Sequence, residues 1–180
     1  MDYTEKKLRR VNSYNGIIVN VHVDQVELID GYKTMREVVE HPGGVTIIPV
    51  DSDGNVYCVR QFRYPYGTHL LETPAGKMEK GEDPYECAVR ELSEETGITA
   101  GQMIDLGKIY TSPGFSDETL YIYLALDLSF GERHPDKGEL LDSRLIPLDT
   151  LVDMAMNNEI SDGKTVVAVL KAKRYLEGKR

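Results

Sequence analysis

The residues of this chain that most clearly suggest chemistry are three closely spaced glutamates. Glu91, Glu94 and Glu95 stand at i, i+3 and i+4, so on an α-helix they project from one face. Like charges at this spacing repel, and a purely structural helix would gain nothing from them. A hard divalent cation such as Mg²⁺ prefers carboxylate oxygens and water, and it would turn the repulsion into binding. The cluster therefore predicts a metal site.

The sequence around the glutamates predicts a helix with well-defined ends. Asp83 can act as the N-cap, Pro84 suits the first turn, and Gly97 is a natural terminator. Ala88 and Leu92 lie on the side opposite the carboxylates. We therefore expect one face of the helix to be buried and the acidic face to remain accessible.

The rest of the chain is expected to form a mixed sheet covered by helices. The break at His41-Pro42-Gly43-Gly44 predicts a boundary between an N-terminal β segment (1–43) and a main domain (44–180). Apolar and β-branched runs predict strands at 17–23, 25–29, 32–40, 45–50, 55–62, 70–73, 105–110, 119–126 and 144–147. Asp149 is expected to cap a helix that runs to about residue 157, and a last helix is expected over 162–176. This order predicts an α/β fold.

Composition limits the partners and the compartment. The 180-residue chain carries a formal net charge of −9, which disfavours a nucleic-acid partner, and its basic start is expected to be a solvated terminal segment. No apolar window approaches the roughly 18 residues of a membrane span, and the N-terminus has no apolar signal-peptide core. Two cysteines without a framework pattern indicate reduced thiols. We expect a cytoplasmic protein with no membrane partner.

The segment 76–98, GKMEKGEDPYECAVRELSEETGI, matches every fixed position of the Nudix box. The chain thus resembles the Nudix family, whose members hydrolyse nucleoside diphosphates linked to another group with Mg²⁺ or Mn²⁺. The resemblance implies the Nudix fold, an α/β/α sandwich with a mixed sheet, here with a small N-terminal β-sheet added. The expected ligands, in order of preference, are the carboxylates of Glu91, Glu95 and Glu94, with the backbone carbonyl of Ala75 added by similarity to the family.

Two further residues of the box have expected roles beside the metal. Arg90 is expected to orient the glutamates through an ion pair, with Glu94 at i+4 as one candidate partner. Glu82 either binds metal or supports the loop before the helix, and the sequence leaves both interpretations open.

Segments outside the box resemble the ADP-ribose pyrophosphatase branch of the family. They are 36–43 (REVVEHPG), 61–63 (QFR), 72–76 (ETPAG) and 112–118 (SPGFSDE). In that branch the N-terminal sheet helps to form a dimer, and the substrate lies near the subunit boundary. The resemblance implies that Arg63 contacts the diphosphate, that Arg36 contributes to the nucleotide pocket, and that Pro113-Gly114-Phe115 shapes the wall near the terminal ribose.

The general base is expected in the loop 131–143, because relatives often take a glutamate from the equivalent loop. Glu139 is the first candidate, Asp142 is the reserve, and His134 is a weaker alternative.

The sequence as a whole predicts a homodimeric enzyme that cleaves ADP-ribose to AMP and ribose 5-phosphate. Glu139, Glu95 and Arg90 are its expected catalytic residues. The alternatives are a hydrolase of another nucleotide sugar, such as GDP-mannose or ADP-glucose, and a non-catalytic Nudix module that senses a nucleotide or binds a partner. A nucleic-acid-processing hydrolase conflicts with the acidic balance.

Overall fold

The computed structural model describes residues 2–134 and 141–178. The chain divides into two compact units. The first comprises Met1–Gly43 and Tyr110–Thr119, and the second comprises Gly44–Ile109 and Leu120–Arg180. The division after Gly43 coincides with the boundary expected from the sequence, although the first unit also takes in the later segment.

The first unit is built on a three-stranded antiparallel sheet. Its strands are β1 (Lys6–Asn15), β2 (Asn20–Glu27) and β3 (Lys33–Glu40), in the order β1-β2-β3. The basic residues of the N-terminal segment are exposed, as expected of a solvated segment, but they lie within strand β1, which the sequence did not predict. Every residue of β1 is exposed, so pairing with β2 rather than burial forms the strand. This explains why no apolar pattern indicated it.

A single strand, β2, replaces the two short strands expected at 17–23 and 25–29. The expected break fell at Asp24, a charged residue that here is buried inside the strand. Lys7 and Arg10 of β1 form ion pairs with its carboxylate, and His22 is also adjacent to it. Cross-strand pairing therefore allows a buried aspartate to continue the strand.

The later segment of the first unit is a turn fastened to the end of β3. The backbone N–H of Val39 donates to the carbonyl of Phe115 at 2.7 Å, and that of Asp117 donates to the carbonyl of Val39 at 3.2 Å. The backbone N–H of His41 donates to the Asp117 carboxylate at 2.8 Å. These hydrogen bonds fix the 111–118 loop within its unit.

In the described part of the chain, the remaining elements form two sheets, three α-helices and a short 3-10 helix at Tyr64–Tyr66. In chain order they are β4 (Gly44–Pro49), β5 (Asn55–Arg63), β6 (Thr68–Glu72), β7 (Ala75–Lys77), α1 (Pro84–Thr96), β8 (Ile98–Tyr110), β9 (Thr119–Phe130), β10 (Asp142–Pro147), α2 (Leu148–Met156) and α3 (Gly163–Glu177). One sheet has the order β7-β4-β9-β8, in which β4 runs parallel to β9 and antiparallel to β7. The other is the antiparallel sheet β10-β5-β6. The first of these is the expected mixed sheet.

Strand β4 is buried on both faces, and its alternating side chains define two cores. Val45 and Ile47 pack with the buried face of α1, whereas Ile48 packs with residues of α2 and α3. Leu151 of α2 and Val169 of α3 belong to that second cluster. Helices thus cover opposite faces of the sheet, and the expected α/β/α sandwich is confirmed.

The predicted role of Asp149 as a helix cap was wrong. Helix α2 already begins at Leu148, with Pro147 in the N-cap position. Asp149 lies in the first turn, where its carboxylate accepts from Lys173 of α3 at 2.5 Å. Within the described residues, no helix is long and apolar enough to cross a membrane.

Candidate active site

Helix α1 has the ends that the sequence predicted. The Asp83 carboxylate accepts from the backbone N–H of Tyr85 at 2.9 Å, and Pro84 occupies the first turn. Gly97 ends the helix at φ +71°, and its N–H donates to the Ser93 carbonyl at 2.8 Å. With its other face held in the core, the helix carries its glutamates on a fixed support.

Two of the three glutamates lie against strand β7. Glu95 is only 3% exposed, and its carboxylate accepts from the backbone N–H of Ala75 at 3.1 Å. Glu91 lies directly over Gly76: a Cβ atom placed on Gly76 would be 1.8 Å from the Glu91 carboxyl carbon. Only glycine leaves room for this carboxylate. The sequence-predicted ligands therefore converge on the backbone of residues 75–76.

Arg90 links the acidic residues around it. Its Nη1 donates to Glu91 at 2.8 Å and to Glu94 at 2.9 Å. Its Nε and Nη2 donate to the two carboxylate oxygens of Glu82, at 2.9 and 3.0 Å. The predicted ion pair with Glu94 is confirmed. Arg90 therefore offsets the repulsion among the glutamates and orients them.

Glu82 makes the contacts expected of a residue that supports the loop. Besides its paired bonds with Arg90, its carboxylate accepts from the backbone N–H of Glu79 at 2.8 Å. The hydrogen bond from Arg90 lowers the pKa of Glu82 to about 2, although partial burial opposes the shift. The carboxylate is thus held in its charged form.

The donor set suits a hard divalent cation. Carboxylate oxygens of Glu91 and Glu95 lie at the backbone of residues 75–76, Glu94 lies beside them on the same helix face, and oxygen donors are those that Mg²⁺ prefers. In the part of the chain that the structure describes, no three acidic, histidine or cysteine side chains already form a metal-binding group. Arg90 holds Glu91 and Glu94 by hydrogen bonds in this arrangement. These oxygen donors fit a divalent cation. To bind it, the carboxylates of Glu91 and Glu94 would have to move relative to the hydrogen bonds that they now accept from Arg90.

Arg63, the expected diphosphate contact, lies in a partly buried polar network that the sequence did not indicate. Its Nε and Nη2 each donate to the Glu72 carboxylate at 2.6 Å. Lys164 of α3 also donates to Glu72, and it donates to Asp162 at 2.9 Å. Glu72 and Lys164 are 92 positions apart, and no local pattern signals their pairing.

The other substrate-binding residues expected outside the box lie in the first unit. Arg36 on β3 donates to Glu5 through Nε at 2.9 Å and through Nη2 at 2.6 Å. Pro113, Gly114 and Phe115 belong to the turn fastened to the end of β3, and Phe115 is exposed. These roles stay predictions.

The loop expected to carry the general base begins beside the end of α1. The backbone N–H of His134 donates to the Glu94 carbonyl at 3.0 Å, and Arg133 donates to Ser143 at 3.2 Å across the loop. Glu139 lies outside the described residues. The reserve candidate Asp142 forms an ion pair with Arg144 at the start of β10.

The family model of the NUDIX domain matches residues 40–168, which is more than half of the chain. The chain belongs to the Nudix family. The match includes the whole Nudix box and the helix that carries it. The assignment made from the sequence to the Nudix pyrophosphohydrolases is thus confirmed, and the resemblance to the ADP-ribose pyrophosphatase branch is supported by the relatives described next.

Relatives of nearly equal length support the assignment. The chain is 37% identical over 180 residues to an ADP-ribose pyrophosphatase of Bacillus subtilis (strain 168), covering 98% of this chain and 97% of the relative. It is 40% identical over 169 residues to a methanol dehydrogenase activator of Bacillus methanolicus, covering 93% and 91%. A solved ADP compounds hydrolase superposes with a TM-score of 0.86 at 23% identity, covering 97% of this Nudix chain and 95% of the other. That last likeness supports the fold.

Proposed function

We propose that this Nudix protein hydrolyses the pyrophosphate bond of ADP-ribose, giving AMP and ribose 5-phosphate, with Mg²⁺ as its cation and Mn²⁺ as a substitute. The observation that carries the proposal is the convergence of Glu91 and Glu95 on the backbone of residues 75–76, where Gly76 leaves space for a carboxylate. The similarity to an ADP-ribose pyrophosphatase over nearly the full chain supports the substrate.

The site residues would have two roles, which are to bind the cation and to bind the dianionic substrate. Glu91, Glu94, Glu95 and the backbone carbonyl of Ala75 would hold the cation. When bound, Mg²⁺ neutralises negative charge on the diphosphate and acidifies a water molecule. Arg90 keeps the carboxylates oriented, because its hydrogen bonds reach two of them. Charge neutralisation and positioning would supply most of the catalysis.

The remaining roles complete the proposed enzyme. Arg63 would bind the diphosphate, and Glu139 would act as the general base. Arg36 and the 113–115 turn would bind the nucleotide and the ribose.

The protein would be cytoplasmic, and it would form a homodimer through its N-terminal sheet. Support for the dimer comes from the exposure of every residue of β1, an edge strand. A monomeric mass by light scattering at micromolar concentration would contradict it.

The test compares Glu95→Gln with Glu86→Gln. Both glutamates lie on α1, but Glu86 is exposed in the first turn, away from the Ala75 contact. Products would be measured by chromatography for ADP-ribose, GDP-mannose, ADP-glucose and NAD⁺, with Mg²⁺, with Mn²⁺ and with excess chelator. We expect ADP-ribose to give the highest kcat/KM. Glu95→Gln and the chelator should each abolish nearly all turnover, whereas Glu86→Gln should stay within about twofold of the unmodified enzyme.

Three results would overturn parts of the proposal. Full activity of Glu95→Gln would refute the metal assignment. A higher kcat/KM on another nucleotide sugar would refute the substrate. Absence of turnover on every compound, together with tight nucleotide binding, would favour a non-catalytic module.

The similarity to a methanol dehydrogenase activator favours a second candidate, in which the chain activates a partner dehydrogenase. Adding the protein to a methanol dehydrogenase and measuring alcohol oxidation tests this role. Unchanged oxidation rates at saturating protein would exclude it for that enzyme. Activation that persists in Glu95→Gln would show that it does not require hydrolysis.

A further inference from the structure

A fully buried carboxylate lies beneath the arginine expected to bind the diphosphate. Glu72, at the end of β6, is 0% exposed. Its Oε1 accepts from Nε of Arg63, and its Oε2 accepts from Nη2 of Arg63, both at 2.6 Å. Lys164 also donates to Oε2. A carboxylate buried this deeply is costly unless it is paired, and here Arg63 and Lys164 pair both of its oxygens.

The pairing sets the direction of the Arg63 side chain. In the β5–β6 ladder, Arg63 lies opposite Thr68, whereas Glu72 lies opposite Val59. The guanidinium therefore reaches back along β6 to meet Glu72. Without that partner, the long side chain would be free to sample many rotamers, because 38% of it is exposed.

The contact uses one side of the guanidinium and leaves the other side available. A guanidinium has two edges that can grip an oxyanion, Nε–Nη2 and Nη1–Nη2. Glu72 takes the Nε–Nη2 edge. Within the described residues, no hydrogen bond involves Nη1 of Arg63. The Nη1–Nη2 edge has the planar geometry that suits a phosphate group.

The network formed by Arg63, Glu72, Lys164 and Asp162 has no net charge, so a variant that changes its charge can test its role. Arg63 and Lys164 carry two positive charges, and Glu72 and Asp162 carry two negative charges. Asp162 is itself held as the N-cap of α3 by the backbone N–H of Thr165 at 3.0 Å. Lys164 is therefore fixed between two anchored carboxylates, and it keeps Glu72 in place from the α3 side.

We propose that Glu72 is a positioning residue which, anchored by Lys164, fixes Arg63 with its Nη1–Nη2 edge turned to the diphosphate of the substrate. This inference rests on the proposed function, because it assigns Arg63 a diphosphate to bind. It predicts that Glu72 acts on substrate binding through Arg63, although Glu72 itself is negatively charged and buried.

The decisive variant is Glu72→Gln, which keeps the volume and removes one negative charge. If the network acted only through its net charge, the variant would bind the anionic substrate more tightly, and KM would fall. If Glu72 positions Arg63, KM should rise, with kcat/KM falling about tenfold or more. Lys173→Met, which breaks a different α3 ion pair with Asp149, serves as the control and should leave kcat/KM unchanged.

A double-mutant cycle separates positioning from a general structural effect. Arg63→Ala, Glu72→Gln and the double variant would be compared by kcat/KM on ADP-ribose. In the Arg63→Ala background, Glu72→Gln should change kcat/KM by less than about twofold, because its target is gone. An equal loss in both backgrounds would overturn the proposal, as would a lower KM in Glu72→Gln alone.

A measurement that does not depend on activity completes the test. In ¹⁵N spectra of the arginine Nε–H groups, the Arg63 signal is assigned by its loss in Arg63→Ala. It should be protected from solvent exchange in the unmodified protein and exchange faster in Glu72→Gln. Unchanged protection would overturn the proposal. If Glu72→Gln does not fold, as judged by circular dichroism, Glu72→Asp replaces it; this variant keeps the charge but shortens the reach.

The failure of this inference can be distinguished from failure of the proposed function. Turnover by the unmodified enzyme tests the function, whereas differences among its variants test the role of Glu72. If no turnover is found, calorimetric titration with ADP-ribose in chelator still compares affinities. Equal affinities of the unmodified protein and Glu72→Gln would then overturn the inference.

Discussion

Replacing Gly76 by alanine tests the geometry of the metal site most directly. A Cβ atom there would lie 1.8 Å from the Glu91 carboxyl carbon, and 2.0 and 2.2 Å from its two oxygens. Ordinary contact begins at 3.4 Å, so the carbon must move by the difference between 3.4 and 1.8 Å, about 1.6 Å. Because a displacement of about 1 Å at a reacting centre can cost about 100-fold in rate, we expect Gly76→Ala to lower Mg²⁺-dependent kcat/KM by about 100-fold or more.

The same substitution should have little effect on stability. Gly76 does not have a positive φ, so alanine introduces no backbone strain. Alanine in a strand gains about 0.5–1 kcal/mol over glycine, which offsets part of the cost of displacing Glu91. We expect the free energy of unfolding in urea to stay within about 1 kcal/mol of the unmodified protein.

Gly163→Ala is the matched control, because no atom lies within 4 Å of a Cβ placed at Gly163 and its φ is not positive. This variant should retain its activity. If Gly76→Ala keeps more than a third of the unmodified kcat/KM, the position of Glu91 over Gly76 is not required for catalysis and the reasoning fails.

Two further substitutions test the surroundings of the site. Because the folded protein lowers the pKa of Glu82 from 4.5 to about 2, its ionised form stabilises the fold above about pH 5, and this contribution is lost as the pH falls from 4.5 towards 2. The difference in unfolding free energy between the unmodified protein and Glu82→Gln should shrink over that range, and a difference independent of pH would contradict the Arg90 pairing. Thr165→Val should cost about 1–3 kcal/mol in urea unfolding, because the buried N–H of Thr73 loses its 2.9 Å acceptor. Exposed Thr150→Val should cost much less, and equal costs would show that the buried hydrogen bond contributes little.

Local signals made helix α1 predictable. Asp83, Pro84 and Gly97 act on the backbone within one turn, so their effects can be read from the sequence alone. The acidic face and the pairing of Arg90 with Glu94 follow from helical spacing in the same way. The β4 strand was equally clear, because burial on both faces gives a continuous apolar run.

Features that depend on distant pairing were not predictable. Strand β1 has no buried residue, and only its hydrogen bonds to β2 reveal it. The start of β8 at Ile98 was missed because the residues that follow it, including Gly101, show no strand pattern. Glu72 and Lys164 are 92 positions apart, and no pattern in the sequence near either residue indicates that they pair.

The short segment 72–77 explains how these distant contacts bear on catalysis. Helix α1 holds the segment from one side, because Glu95 accepts from its backbone at Ala75. Helix α3 also holds it, through Lys164 and through the Thr165 hydroxyl. One segment thus carries both the anchor of the arginine proposed to bind the diphosphate and the backbone beside the proposed metal ligands. A shift of α3 should therefore disturb both functions together, even though α3 contributes nothing to the Nudix box.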